Sequence, residues 1–300
     1  MDKRTAKIAR YFPIVAGGYA GAPISIQVAL TDKCFNRCIM CDHPDRTQYT
    51  IDVKDWLKFL GGMVANGVES VCYSGGDPFA YRDINEVMAY HVGLGLPFGF
   101  TCSGFVPPSI DMDLLKEAAW IRVSLDAVEE DVYKVVRGHT PLKKIIEGID
   151  RMIAAGVNVE LGVTIHKENE SQWPLIQEFA KGRDIRIDMR SVYPMSSVQS
   201  AVPRFVSKFK HCSAVLYQLY IGSQGDVYPC CITNGDTKSH TFTEPFGYIN
   251  GDWSETWKNV VAYSKLEYKD LPSICRSCCV QRLSEINEVC DGIETKKSFF

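Results

Sequence analysis

Apolar and polar positions follow two rhythms that alternate along this chain. Residues 24–30 are β-rich and partly alternating, which predicts a strand. Residues 52–67 place Val53, Trp56, Leu57, Leu60 and Met63 at helical spacing, which predicts a helix. The β-branched run 68–73 predicts a second strand, followed by a helix around 83–94. A third strand over 98–101, a third helix over 111–119 and a fourth strand over 120–125 continue the series. Helical stretches near 129–136 and 141–155, the latter closing at Gly156, precede a fifth strand over 158–165. A helix over 171–181 and a sixth strand over 185–192 complete it. Six alternations predict an α/β fold with a parallel sheet and helices outside it. Six units make a (β/α)6 partial TIM barrel, short of the eight of the closed form. No internal repeat or low-complexity tract interrupts the pattern.

The rhythm stops at both ends. Residues 1–23 hold Gly and Pro with little periodicity and read as a lead-in segment. Beyond Pro194 the stretch 195–200 is linker-like. The expected organisation is therefore a lead-in over 1–23, a barrel over 24–194 and a second module over 195–300. Cysteine usage supports the division. Of twelve cysteines, Cys212, Cys230, Cys231, Cys275, Cys278, Cys279 and Cys290 all lie in the last hundred residues.

Composition narrows the class of protein. The chain is 46% hydrophobic and 23% charged, as in a globular protein, and 300 residues suffice for a large core. A net charge of −3 without a basic patch argues against nucleic acid as a partner. No apolar run reaches the ~20 residues of a membrane span, and the polar start Met1-Asp2-Lys3-Arg4 is a poor signal peptide. A cytoplasmic location with no membrane partner is expected. Thiols stay reduced there, so the cysteines point to metal or cluster ligation rather than to a disulfide framework.

The chemistry centres on Cys34, Cys38 and Cys41, spaced CX3CX2C directly after the first strand. Thiolates hold iron–sulfur clusters or zinc. Three thiolates leave one iron of a four-iron cubane open for a small ligand. At this spacing the chain resembles the radical S-adenosylmethionine (radical SAM) enzymes. The resemblance implies a [4Fe–4S] cluster whose open iron chelates S-adenosylmethionine. It implies reductive cleavage of that cofactor to a 5′-deoxyadenosyl radical, which abstracts hydrogen from a substrate. It also implies an external one-electron reductant of the flavodoxin or ferredoxin type. The position before the third cysteine is usually aromatic in the family and packs near adenine; here it is Met40.

Four further motifs fall at strand ends, where α/β barrels keep their sites. Gly75, Gly76 and Asp77 follow the second strand. They are either a plain turn or, by resemblance to the family's GGE segment, the contact for the cofactor's amino group, with Asp in place of Glu. Ser124 and Asp126 end the fourth strand. They are either a helix cap or, by resemblance, the polar pair contacting the cofactor's ribose and carboxylate. Lys167 lies in a stretch, 163–169, that resembles the T-X-X-X-K-X-N of family members and would face substrate or cofactor, or else solvent. Arg190, near the end of the sixth strand, must be paired or face a polar cavity. In related enzymes such an arginine lies in the active site and has been assigned as the base in dehydrogenases. With a pKa above ~12 it suits contact better than proton transfer.

The C-terminal cysteines have their own spacing. Cys212, twelve residues, Gly225, four residues and Cys230 resemble the opening of the SPASM and Twitch modules, which carry auxiliary [4Fe–4S] clusters. Cys275 and Cys278 add a CXXC pair, with Cys279 adjacent as a rival ligand. Four thiolates make one closed auxiliary cluster, the Twitch-like form, or alternatively a zinc ribbon. Among family members the spacing is similar to that of the one-cluster aminocyclitol (2-deoxy-scyllo-inosamine) dehydrogenase of butirosin biosynthesis. The resemblance implies oxidation of a small polar substrate, alcohol to ketone, with the auxiliary cluster as electron acceptor. A peptide-modifying maturase, forming thioethers or epimerising, is the alternative. It is disfavoured here by the short segment before strand one. A redox-neutral epimerase or decarboxylase of a sugar-like metabolite is a further one.

Overall fold

A computed structural model of the chain describes residues 21–41, 48–191, 211–231, 233, 244–271 and 275. Strands and helices alternate as the sequence predicts. β1 (Ser25–Ala29) leads to α1 (Val53–Ala65), β2 (Ser70–Ser74), α2 (Ile84–Leu94), β3 (Phe98–Cys102), α3 (Met112–Lys116) and β4 (Trp120–Ser124). Then come α4 (Glu130–Arg137), α5 (Leu142–Ala154), β5 (Val159–Ile165), α6 (Trp173–Lys181) and β6 (Arg186–Ser191). β1 to β6 are parallel neighbours in sequence order, giving the partial barrel. No helix among the described residues is long and apolar enough to cross a membrane.

The helix signals work as read. Asp52 caps α1 by accepting the N–H groups of Lys54 and Asp55, and Trp56, Phe59, Leu60 and Met63 make its buried face. Burying each such side chain contributes ~2 kcal/mol. The third helix is shorter than expected, because Glu117 turns it off and the Ala119 N–H donates to Phe98 O at 2.8 Å, already entering β4.

The strands have two unlike faces. Ile26, Val28, Val71, Tyr73, Phe100, Ile121, Val123, Leu161 and Val163 are buried under the helices. The alternate residues, Gln27, Cys72, Thr101, Arg122, Ser124, Glu160, Thr164, Asp188 and Arg190, point the other way. A closed barrel fills this side with branched apolar side chains; here it is polar.

The last third of the chain extends the same sheet. β7 (Gln218–Ile221) pairs in parallel with β1, and β8 (Asp226–Tyr228) and β9 (Gly247–Tyr248) follow antiparallel. The strand order is therefore β6-β5-β4-β3-β2-β1-β7-β8-β9. The C-terminal module is thus built onto the β1 edge of the barrel. α7 (Trp253–Ser264) packs behind it. The expected boundary at 194/195, the linker at 195–200 and most of the lead-in lie outside the described residues.

Candidate active site

The loop leaving β1 carries Cys34, Cys38 and Cys41, all half-buried and none in a disulfide. At its start the Thr31 hydroxyl donates to Tyr49 O at 3.1 Å and lies 2.9 Å from Thr50 Oγ1. The loop after β2 closes on it: Gly76 N–H donates to Thr31 O at 3.0 Å and Asp77 N–H to Lys33 O at 2.7 Å. Gly75 has φ +100°, and a Cβ there would stand 2.5 Å from Ala29 Cβ; one on Gly76 would overlap Lys33 O. Only glycine permits this approach.

The other side of the loop rests on the end of α4. Arg37 and Ile39 donate their N–H groups to the carbonyls of Arg137 and Val136 at 3.1 and 3.0 Å, groups a helix end leaves without an internal partner. Buried Asn36 donates to Tyr133 Oη at 3.2 Å and accepts the Thr140 N–H at 3.1 Å. The Thr140 hydroxyl donates to Phe35 O at 2.9 Å.

Two N–H groups point at sulfur. Asn36 N–H reaches Cys34 Sγ at 3.4 Å, and Arg137 Nη1 reaches Cys38 Sγ at 3.6 Å, within the longer reach of sulfur acceptors. Donors aimed at thiolate sulfur are what an iron–sulfur cluster wants around it. This donor set fits the implied [4Fe–4S] cluster. Met40 is half-buried in the turn between Cys38 and Cys41.

The expected polar contacts sort differently. Asp77 is fully buried, with Oδ1 accepting Phe79 N–H at 2.9 Å and Oδ2 accepting Ser103 N–H at 2.8 Å. Asp126 is also fully buried. Its Oδ2 takes Arg137 Nε and Nη2 at 2.7 and 2.6 Å, and its Oδ1 takes Thr164 N–H at 2.7 Å. Both carboxylates brace loops with the oxygens that were expected to face the cofactor. Ser124, by contrast, is half-buried on the polar face at the end of β4.

Arg190 lies on the polar face, paired with Asp188 at 2.9 Å. Asp188 also meets Arg122 Nε at 3.4 Å, and Glu160 binds both Arg122 and Arg186. Lys167 is not brought to this wall: it is half exposed and pairs with Glu170, three residues on, at 3.3 Å. In its stretch the inward residue is Asn169, which donates to Asp126 O and Thr164 O at 2.8 and 2.9 Å. Deep on the same face, burial pushes the Cys72 thiol up to about 12, so it stays protonated. Cys102 is buried in the core, as expected.

Three of the expected auxiliary ligands lie near Tyr263. Burial, and then the nearby thiols of Cys275, Cys212 and Cys230, push the Tyr263 phenol well above its usual range. Gly225, at φ +80°, turns the chain from β7 into β8, and a Cβ there would stand 2.9 Å from Ile249 Cγ1; this is why the spacing carries glycine. Cys278 and its rival Cys279 lie outside the described residues. Cys231 packs on Ala29, Tyr220 and Tyr228 instead.

Sequence reasoning missed Arg137 and Tyr263. A basic residue in a helix's last turn reads as a dipole complement. The available signal was position: Arg137 follows Tyr133 by four residues, on the buried face of α4.

Comparison with known proteins adds two family matches. The radical SAM superfamily model matches residues 28–180, and an iron–sulfur cluster-binding domain model, SPASM, matches residues 212–279. GTP 3′,8-cyclase of Marinobacter nauticus is 26% identical over 181 residues, covering 58% of this chain and 55% of that one. PqqA peptide cyclase of a Methylobacterium species is 30% identical over 165 residues, covering 53% and 44%. The match spans about half the length of each of these curated relatives. Among solved structures, Streptococcus suis SuiB bound to S-adenosylmethionine aligns with TM-score 0.68 and 16% identity, over 93% of this chain and 76% of that one. anSMEcpe with bound AdoMet and the Cp18Cys peptide aligns with TM-score 0.62 and 12% identity, over 88% of each. At such identities the likeness is one of fold. The two family matches imply an S-adenosylmethionine-binding [4Fe–4S] cluster, S-adenosylmethionine and an auxiliary cluster.

Proposed function

Since the chain belongs to the radical SAM superfamily, we propose that it uses the 5′-deoxyadenosyl radical to modify a peptide. When bound, the cluster and its cofactor supply one-electron chemistry and a primary carbon radical. This chain's residues do the rest. Cys34, Cys38 and Cys41 hold the cluster, the Gly75–Gly76 backbone and Ser124 line the cofactor's side, and Met40 packs beside it. Residues 24–194 serve as the barrel, and 195–300 as the auxiliary-cluster module with Cys212, Cys230, Cys275 and Cys278 as ligands. An external one-electron reductant serves the first cluster.

The observation that carries the peptide reading is the polar wall of β4, β5 and β6. Arg122, Glu160, Arg186, Asp188 and Arg190 form one ion-pair network there. The network runs across three strands and ends on Arg186, Asp188 and Arg190 of β6, an edge strand of the sheet, all at least 40% exposed in the side chain. Such a row suits an extended chain with charged side groups better than one compact neutral ring. The likeness to a peptide cyclase supports the same reading. The cysteine spacing favours a second reading, oxidation of a small polar alcohol with the auxiliary cluster as electron acceptor. The aminocyclitol resemblance rests on that spacing alone.

The test is to offer the reduced, cluster-loaded full chain a library of acidic and basic peptides beside cyclitols and sugars. Mass change of a peptide with 5′-deoxyadenosine release supports the proposal. A product from the polyols alone overturns it in favour of the second reading.

A further inference from the structure

Arg137 is 9% exposed, and a buried guanidinium is costly unless paired. Asp126 pairs it through two N–H groups at 2.7 and 2.6 Å, leaving Nη1 aimed at Cys38 Sγ at 3.6 Å. Asp126 is itself fixed by Thr164 N–H at 2.7 Å, and its own carbonyl by Asn169 at 2.8 Å. The Arg137 carbonyl meanwhile accepts the N–H of Arg37 at 3.1 Å. One residue thus holds the cysteine loop by its backbone and faces a ligand sulfur with its charge.

The pair is nearly neutral as a whole, but it is oriented. Its cationic end faces Cys38 and its anionic end faces the ends of β4 and β5. A fixed dipole with its positive end at a cluster stabilises the electron-rich reduced form, as does a hydrogen bond to ligand sulfur. We propose that Arg137, oriented by Asp126, is a positioning residue that raises the reduction potential of the cluster held by Cys34, Cys38 and Cys41. This rests on the radical SAM reading of that loop. It explains why the Asp126 carboxylate pairs with an arginine.

The geometry makes the two partners act in opposite directions. Arg137→Met removes the positive end and leaves the Asp126 carboxylate uncompensated. Asp126→Asn removes the negative end and leaves the guanidinium. The test is potentiometry of the reconstituted full chain, followed by the electron paramagnetic resonance signal that changes on adding S-adenosylmethionine, with iron content measured alongside. At a fixed poise the reduced-to-oxidised ratio of that cluster should fall about tenfold in Arg137→Met, equivalent to ~59 mV for one electron. It should rise in Asp126→Asn. Arg137→Lys keeps the charge and should lie between Arg137→Met and the wild type. If the Met variant does not fold, the signs for the Asn and Lys variants decide. Unchanged potentials, or shifts of the same sign in the Asn and Met variants, overturn the proposal and leave Arg137 a packing residue. A wild-type chain with no cofactor-sensitive cluster signal overturns the radical SAM reading as well, which separates the two failures.

Discussion

The Asp77 carboxylate joins the ends of two strands, accepting the Ser103 N–H at 2.8 Å after β3 while capping Phe79 at 2.9 Å after β2. It is fully buried. Removing a buried acceptor leaves each N–H to carry a desolvation cost of about 1–3 kcal/mol. Asp77→Ala should therefore lower stability by roughly 2–6 kcal/mol. Asp77→Asn should also be destabilising, because its amide NH2 would face one of two N–H donors. Urea denaturation monitored by circular dichroism measures both. A neutral Asp77→Ala would mean that the carboxylate serves a ligand rather than the fold.

Gly76 and Gly62 make a matched pair. A Cβ on Gly76 would overlap Lys33 O in the cysteine loop, whereas one on Gly62, inside α1, meets nothing within 4 Å. Gly76→Ala should displace the loop and depress both iron retention and S-adenosylmethionine binding. Gly62→Ala should leave both intact and add about 0.5–1 kcal/mol of stability. Iron assays and cofactor titration of the two variants side by side give the comparison. Normal cofactor binding by Gly76→Ala would show that the loop after β2 does not set the site.

Much of this architecture was legible because it is local. Cap, apolar period and β-branched runs place β1 to β6 and the helices between them within a few residues. The pairing of β7 with β1 was not legible, since Gln218 and Ser25 meet across most of the chain and nothing in either segment names its partner. The cysteines were legible by spacing. The carboxylates were not: an Asp at a strand end looks the same whether it faces a ligand or, like Asp126, a buried arginine eleven residues on. Lys167 was misplaced for a similar reason. Asn169 takes the inward direction and leaves the lysine to pair with Glu170.

Cluster stoichiometry tests both modules. Two cubanes should give about eight irons per chain after anaerobic reconstitution. Replacing Cys34, Cys38 and Cys41 by Ala should leave about four and abolish cofactor cleavage. Replacing Cys212 and Cys230 by Ser should remove the other four while sparing cleavage, provided circular dichroism shows the module folded. Cys231→Ser should change neither, since that side chain packs on Ala29, Tyr220 and Tyr228. A loss of iron in Cys231→Ser, or about twelve irons in the wild type, would place a further cluster in the C-terminal module.

The last prediction concerns acid stability, and it follows from a buried chain of hydrogen bonds. Trp56 Nε1–H donates to Tyr73 Oη at 3.2 Å, Tyr73 Oη lies 2.6 Å from His91 Nε2, and His91 Nδ1 lies 3.0 Å from Leu96 O. A carbonyl only accepts, so Nδ1 carries the proton and Nε2 accepts from Tyr73. The imidazole is thus neutral, and burial holds its pKa at about 4, below the ordinary 6.5. Above about pH 6.5 the ring is neutral in both the folded and the unfolded chain and adds no pH dependence. Between about 6.5 and 4 the unfolded chain takes up a proton that the folded chain refuses, so stability falls as pH falls. The full gap corresponds to roughly 3 kcal/mol. His91→Gln should flatten this part of the profile, at the cost of some stability at neutral pH where the Tyr73 contact is weakened. Urea midpoints of the wild type and variant between pH 4 and 7.5 give the slopes. Parallel slopes in the two proteins would show that another group governs the acid limb and that His91 is already charged in the folded chain.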